Sequence, residues 1–192
     1  MDLHATVTEF FHGQVADALR SRGVSAAEPT EFYIVNLLSE YTRPGKTASE
    51  PLALKLAEIS NAAPDLKVRG LKEIGDTSLV TSGFFADSLN RRLVDVDYYI
   101  AMGTTAYSRL SGLIGATRGG SATDLFRVVY AELAAKFAAF VEVLNQVRRN
   151  TSLGGGGDLV QLCEEWLKTG SDWVGRKLRD AGVVVLDAAK KN

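Results

Sequence analysis

The chain is poor in the residues by which many sites announce themselves. It has one cysteine, Cys163, so a disulfide framework within the chain and a multi-cysteine zinc site are both excluded. Cys163 lies in LVQLCEEW, on the apolar side of a predicted helix, where a buried structural thiol is the simplest role. The only histidines are His4 and His12. Glu9 and His12 have the Glu-x-x-His spacing that puts a carboxylate and an imidazole on one helical face, as in di-iron bundles. A paired site needs a second such motif, and no glutamate stands three residues before His4. Nor does any motif support His12 as a lone haem ligand; a solvated or capping histidine is the simpler reading. No metal and no cofactor are therefore expected.

Charge of one sign is also missing. The 22 Lys and Arg against 23 Asp and Glu leave a net charge of −1, without the basic excess that a phosphate backbone requires, so nucleic acid is not an expected partner. No run of about 18 apolar residues occurs, so no membrane span is expected. The opening MDLHATVTEFFHG has no basic n-region and no continuous apolar core, so it does not read as a signal peptide. The cytoplasm is the expected compartment. No serine sits in a Gly-x-Ser-x-Gly turn, and the histidines have no triad-like partners. The glycine-rich GLIGATRGG at 112–120, with Arg118, precedes a helix N-terminus and could receive an anion. It fits neither the P-loop nor the dinucleotide spacing and follows no strand, so a helix connector is the plainer account. No catalytic residue is assigned, and the chain is not expected to be an enzyme, although a carboxylate pair assembled in space would leave no sequence trace.

What the chain does have is helical periodicity. Residues 3–22 carry Leu3, Val7, Phe10, Phe11, Ala18 and Leu19 on one stripe, with Gly23 as a stop. Pro29 suits a first helical turn. It is followed by Phe32, Tyr33, Asn36, Leu37 and Tyr41 at helical spacing, and Pro44-Gly45 ends the segment. Ser49 is placed to cap a helix over 50–62 with Pro51 in its first turn. Pro64 opens a helix to about Ser82. Asp87 is placed to cap a short helix ending near Leu93, and Asp95 a helix over 96–114. Ser121-x-x-Asp124 has the form of a capping box opening the longest helix, about 122–150, with Leu125, Val129, Leu133, Phe137, Phe140, Val141, Leu144 and Val147 inward. The tetraglycine 154–157 breaks the pattern before a last helix with Leu159, Leu162, Trp166, Leu167, Val174 and Leu178. No strand-like alternation and no internal repeat appear. The expected fold is all-α: a single-domain helical bundle of six or seven helices over 1–182, without a sheet. Residues 151–157 form a surface loop or a hinge before the last helix, and 183–192 an apolar and then frayed tail.

The stretch 71–111 stands apart. It mixes glycine, serine and threonine with three tyrosines and a charge cluster of Asp76, Asp87, Arg91, Arg92, Asp95, Asp97 and Arg109. Leu71, Gly75, Ser78, Ser82 and Phe85 share one helical side; Tyr99, Gly103, Ala106 and Leu110 share another. Two helices packed closely through Gly75 and Gly103 explain the small residues, with Asp87 and Arg91 as an i,i+4 pair. The same geometry would suit a pocket between helices 64–82 and 96–114 lined by Asp76, Tyr99 and Tyr107, or a contact face. Tyr98 and Tyr99 point about 100° apart on a helix, so one faces the core and the other is available to a partner. The candidate binding residues are thus Asp76, Arg91, Arg92, Tyr98, Tyr99 and Tyr107. The expected function is a non-enzymatic regulatory or scaffold module acting through a helical surface, on a protein partner or as a homodimer. The alternative is a helical small-molecule- or cofactor-binding protein using that pocket.

Overall fold

The computed structural model describes residues 3–41, 51–85, 95–116 and 120–152, together with Trp166, Gly175, Arg176, Leu178 and Arg179. All regular structure among them is helical. The helices are α1 (Leu3–Arg22), α2 (Glu28–Tyr41), α3 (Leu52–Ser60), α4 (Pro64–Gly83), α5 (Val96–Ala116), α6 (Ser121–Ala135) and α7 (Phe137–Ser152). The chain is an all-α helical bundle with no strand among the described residues. None of these helices is long and apolar enough to cross a membrane.

Local chemistry sets several boundaries. Gly23 adopts φ 63°, the left-handed conformation that ends helices cheaply only without a Cβ, and the Val24 N–H donates back to the Leu19 carbonyl at 3.0 Å. Pro64 occupies the first turn of α4, where its missing N–H costs no hydrogen bond. At α3 the expected boundary moves: Pro51 is the N-cap residue, not part of the first turn, and the helix begins at Leu52. Ser49, Pro44-Gly45, Asp87, Cys163, the tetraglycine and the 183–192 tail lie outside the described residues.

Three further expectations are corrected. The capping box does not form, because α6 starts at Ser121 itself with Gly120 as its N-cap and no side-chain cap bond. The start of the expected glycine-rich turn is helical, since α5 runs on to Ala116. The long helix is also two. Lys136 leaves helical geometry at φ −115° and ψ 21°, and its ammonium donates to the Ser25 carbonyl at 2.8 Å and to Glu132 at 2.8 Å. Residues 122–150 contain no proline or glycine, so the bend comes from tertiary contacts: Lys136 is tied to the α1–α2 connection while Phe137 is held inside.

The core is continuous across the bundle. Val15, Ile34, Leu38, Ile74, Leu79, Tyr107, Leu110, Leu133, Phe140, Leu144 and Val147 are fully buried. Helix α4 packs on α5, α7 and α3; α1 packs on α2 and α7; α5 packs on α6. The α2 stripe is shifted from the expected one: Ile34, Val35, Leu37 and Leu38 face inward, while Phe32 and Asn36 face solvent.

Candidate functional site

Helices α4 and α5 run antiparallel and touch at their glycines. A Cβ on Gly75 would lie 2.5 Å from the Tyr107 ring, and one on Gly103 would lie 2.8 Å from the Ser78 Cβ and overlap the Phe137 ring. The expected close packing through Gly75 and Gly103 is therefore present.

Asp76 sits at the crossing, 5% exposed. Its Oδ1 accepts the Tyr33 hydroxyl at 2.6 Å and the Tyr107 hydroxyl at 2.8 Å, and its Oδ2 accepts the Lys72 ammonium at 2.6 Å. Three donors from α2, α4 and α5 thus converge on one carboxylate, which satisfies the charge that burial would otherwise penalise. Tyr130 of α6 completes the cluster, stacked on Tyr107 at 5.7 Å and set edge-on to Tyr33 at 5.5 Å. Beside it the Tyr41 and Thr77 hydroxyls share a bond of 2.8 Å.

The environment shifts the titrating groups together. Burial pushes the Tyr33 phenol far above its ordinary value, and neighbouring Tyr107 and Asp76 add to this. Burial followed by the Asp76 charge does the same to Tyr107. Burial also raises Tyr41 and Tyr130, with hydrogen bonds from Thr77 and Tyr33 opposing it. For Lys72 burial works to lower the value, but the Asp76 charge and hydrogen bond outweigh it and the net shift is upward. The cluster holds a carboxylate, protonated phenols and an ammonium in a closed network. That chemistry joins helices, with Lys72 at the edge of the network, its side chain 42% exposed.

The remaining candidates take structural places as well. Tyr99 is 8% exposed. Tyr98 is half-buried, and its hydroxyl accepts the Ala53 N–H at 3.1 Å, tying the start of α3 to the start of α5. Arg91 and Arg92 lie outside the described residues. Structure thus brings Asp76 and Tyr107 together and keeps Tyr98 and Tyr99 on a separate patch with their rings 5.3 Å apart. His12 stands 3.9 Å from Glu31 and beside the Phe32 ring. No group of three or more metal-ligating side chains occurs among the described residues.

An open site does exist between α4 and α5, but at the other end of the pair. Helix α3 lies against α4 with Ile59 seated over Gly70, where a Cβ would come within 2.7 Å of Ile59 Cγ2, and Lys55 pairs with Glu73. Beneath the end of α3 is a half-open cleft of about 440 Å³. Its walls are Leu56, Ile59 and Ser60 of α3, Lys67 and Leu71 of α4, and Arg109, Gly112 and Leu113 of α5. Gly112 has nothing within 4 Å of where a Cβ would be, so no neighbour requires a glycine there; its bare backbone widens the cleft. Ser60 donates its hydroxyl to the Leu56 carbonyl at 2.7 Å. Lys67 is half-buried and Arg109 exposed, and neither has an ion-pair partner among the described residues.

The sequence reading passed over this site, although Arg109 belonged to the charge cluster it singled out. The signal was present as three helical triplets or pairs: 56, 59 and 60; 67 and 71; 109, 112 and 113. Each occupies one helical face, and only the antiparallel packing brings the three faces together. Compared with known protein families, with curated proteins and with solved structures, the chain matches none.

Proposed function

We propose that this chain is a ligand-binding helical module whose working surface is the α3–α4–α5 cleft. The observation that carries the reading is the cleft itself. It measures about 440 Å³ and is walled mainly by Leu56, Ile59, Leu71 and Leu113, with a few polar groups at its edge. Sites for small molecules have this size, roughly 300–1,000 Å³, and this mixture of apolar wall and sparse polar groups. Binding suits the lining better than catalysis: its hydroxyl is engaged by a backbone carbonyl, and its charged groups are cations without a carboxylate to act as base. Gly112→Trp tests the reading with little risk to the fold, because the new side chain enters open space. An environment-sensitive apolar dye should bind the natural chain and lose most of its signal with Gly112→Trp, at unchanged helicity. Equal dye binding by both proteins would sink the cleft as the working surface.

A second reading, self-association, is favoured by α6. Val129, Tyr130 and Leu133 of this helix are buried, yet Leu125, Phe126 and Val128 are 47%, 48% and 47% exposed. Asp124 and Arg127 flank them with opposite charges 3.8 Å apart, a pattern that a two-fold pairing of identical helices can exchange between copies. Light scattering should then report a dimer that Phe126→Glu converts to monomer; a strict monomer at micromolar concentration would remove this reading.

A further inference from the structure

We infer that the α3–α4–α5 cleft takes an amphipathic carboxylate: an apolar chain or ring ending in a single anionic group. The inference rests on the cleft being the binding surface and adds the chemistry of what enters it. Leu56, Ile59, Leu71 and Leu113 offer the ligand's body an apolar wall, while Lys67 and Arg109 reach the same space from α4 and α5. The neighbouring Lys55 and Lys72 pair with Glu73 and Asp76. Lys67 and Arg109 have no such carboxylate among the described residues. Both cations border the same apolar cleft, so an anion bound there gains attraction from each, most of all from the half-buried Lys67.

The polar positions also fit one head group. Arg109 presents a planar fork of donors suited to two oxygens of one group, and Lys67 adds a point charge from the opposite helix. Ser60 is already bonded to Leu56, so recognition falls to the two cations. A singly charged carboxylate is favoured over a phosphate because the head group must shed water beside apolar walls, and that cost climbs steeply with charge. A cationic or neutral amphiphile would keep the apolar contact but leave Lys67 unpaired.

The test titrates the full chain with decanoate, decanol, decyl phosphate and decyltrimethylammonium below their micellar concentrations. Heat of binding and the methyl resonances of Ile59 and Leu113 are followed. Decanoate should bind more tightly than decanol by about tenfold, the contribution of one charge-assisted bond, and the ammonium should bind most weakly. Lys67→Gln and Arg109→Gln should each remove most of decanoate's advantage, whereas Lys67→Arg should retain it. Helicity by circular dichroism verifies that each variant is folded. Decanol binding as tightly as decanoate, with the methyls still shifting, would overturn the anion while leaving the cleft in place. Tighter binding of decyl phosphate would overturn the carboxylate. If no probe binds and the methyls stay still, both the ligand class and the cleft reading fall.

Discussion

Gly75 has no side chain for a reason that can be measured. Its missing Cβ is replaced by the Tyr107 ring, and Tyr107 cannot swing aside because it is fully buried and its hydroxyl is held by Asp76. Ala is the better helix former by about 1 kcal/mol, but forcing a methyl into a filled space costs roughly 1–3 kcal/mol and here also pulls at a buried carboxylate's donor. Gly75→Ala should therefore lower stability by about 2 kcal/mol in denaturant unfolding. A neutral or stabilising result would mean that the crossing is looser than its geometry. Asp76, Tyr107 and Tyr99 stood out in the sequence as an odd mixture, and their nearness to the small residues was legible. Their direction was not. A carboxylate among glycines and tyrosines has the same local pattern whether it faces a ligand or two tyrosine donors from neighbouring helices and a lysine one turn away. Tyr33, which supplies one of those donors, lies 43 residues away.

At the scale of elements, periodicity located the helices well where one face is buried along the whole length. Helices α1, α4 and α5 begin or end within a few residues of where Gly23, Pro64 and Asp95 put them. It failed where tertiary contacts override local preference. The bend at Lys136 is invisible locally, because AAKFAAF reads as uninterrupted helix; the decisive partners, Ser25 and Ala27, lie over a hundred residues away. Leu125 shows the reverse error. It continues the 3.6-residue stripe of the buried Val129 and Leu133, but the first turns of α6 reach past what the neighbouring helices cover, and Leu125 is left 47% exposed. The cleft has the same origin. Its three faces are each ordinary in sequence, and what makes them a site is that α3 crosses the far end of the α4–α5 pair.

For the molecule as a whole, the tyrosine cluster dictates how the fold meets alkali. Tyr33, Tyr41, Tyr107 and Tyr130 all have raised values in the folded state, against an ordinary 10.0. Above that value the unfolded chain gives up phenolic protons that the folded chain keeps, so the unfolded state binds fewer protons and stability falls as pH rises. Lys72 acts in the same sense, because its raised value makes its contribution complete below the ordinary 10.5 and lost as pH climbs through the folded value. Stability should therefore be flat near neutrality with respect to these groups and fall steeply above about pH 10. Part of the tyrosinate absorbance should appear only as helicity is lost. Smooth ionisation of all the tyrosines with helicity intact would contradict the buried network.

The contact between Glu132 and the Ala27 N–H, 3.1 Å long, is reinforced by Lys136 on the Ser25 carbonyl. It closes a loop of more than a hundred residues that contains α2 through α6. Closing so long a loop carries a chain-entropy cost that nearby contacts do not repay until the helices inside it are in place. A clasp of this span is expected to form after the helices that it encloses. The exchange of a single amide hydrogen, that of Ala27, reports how often this contact opens.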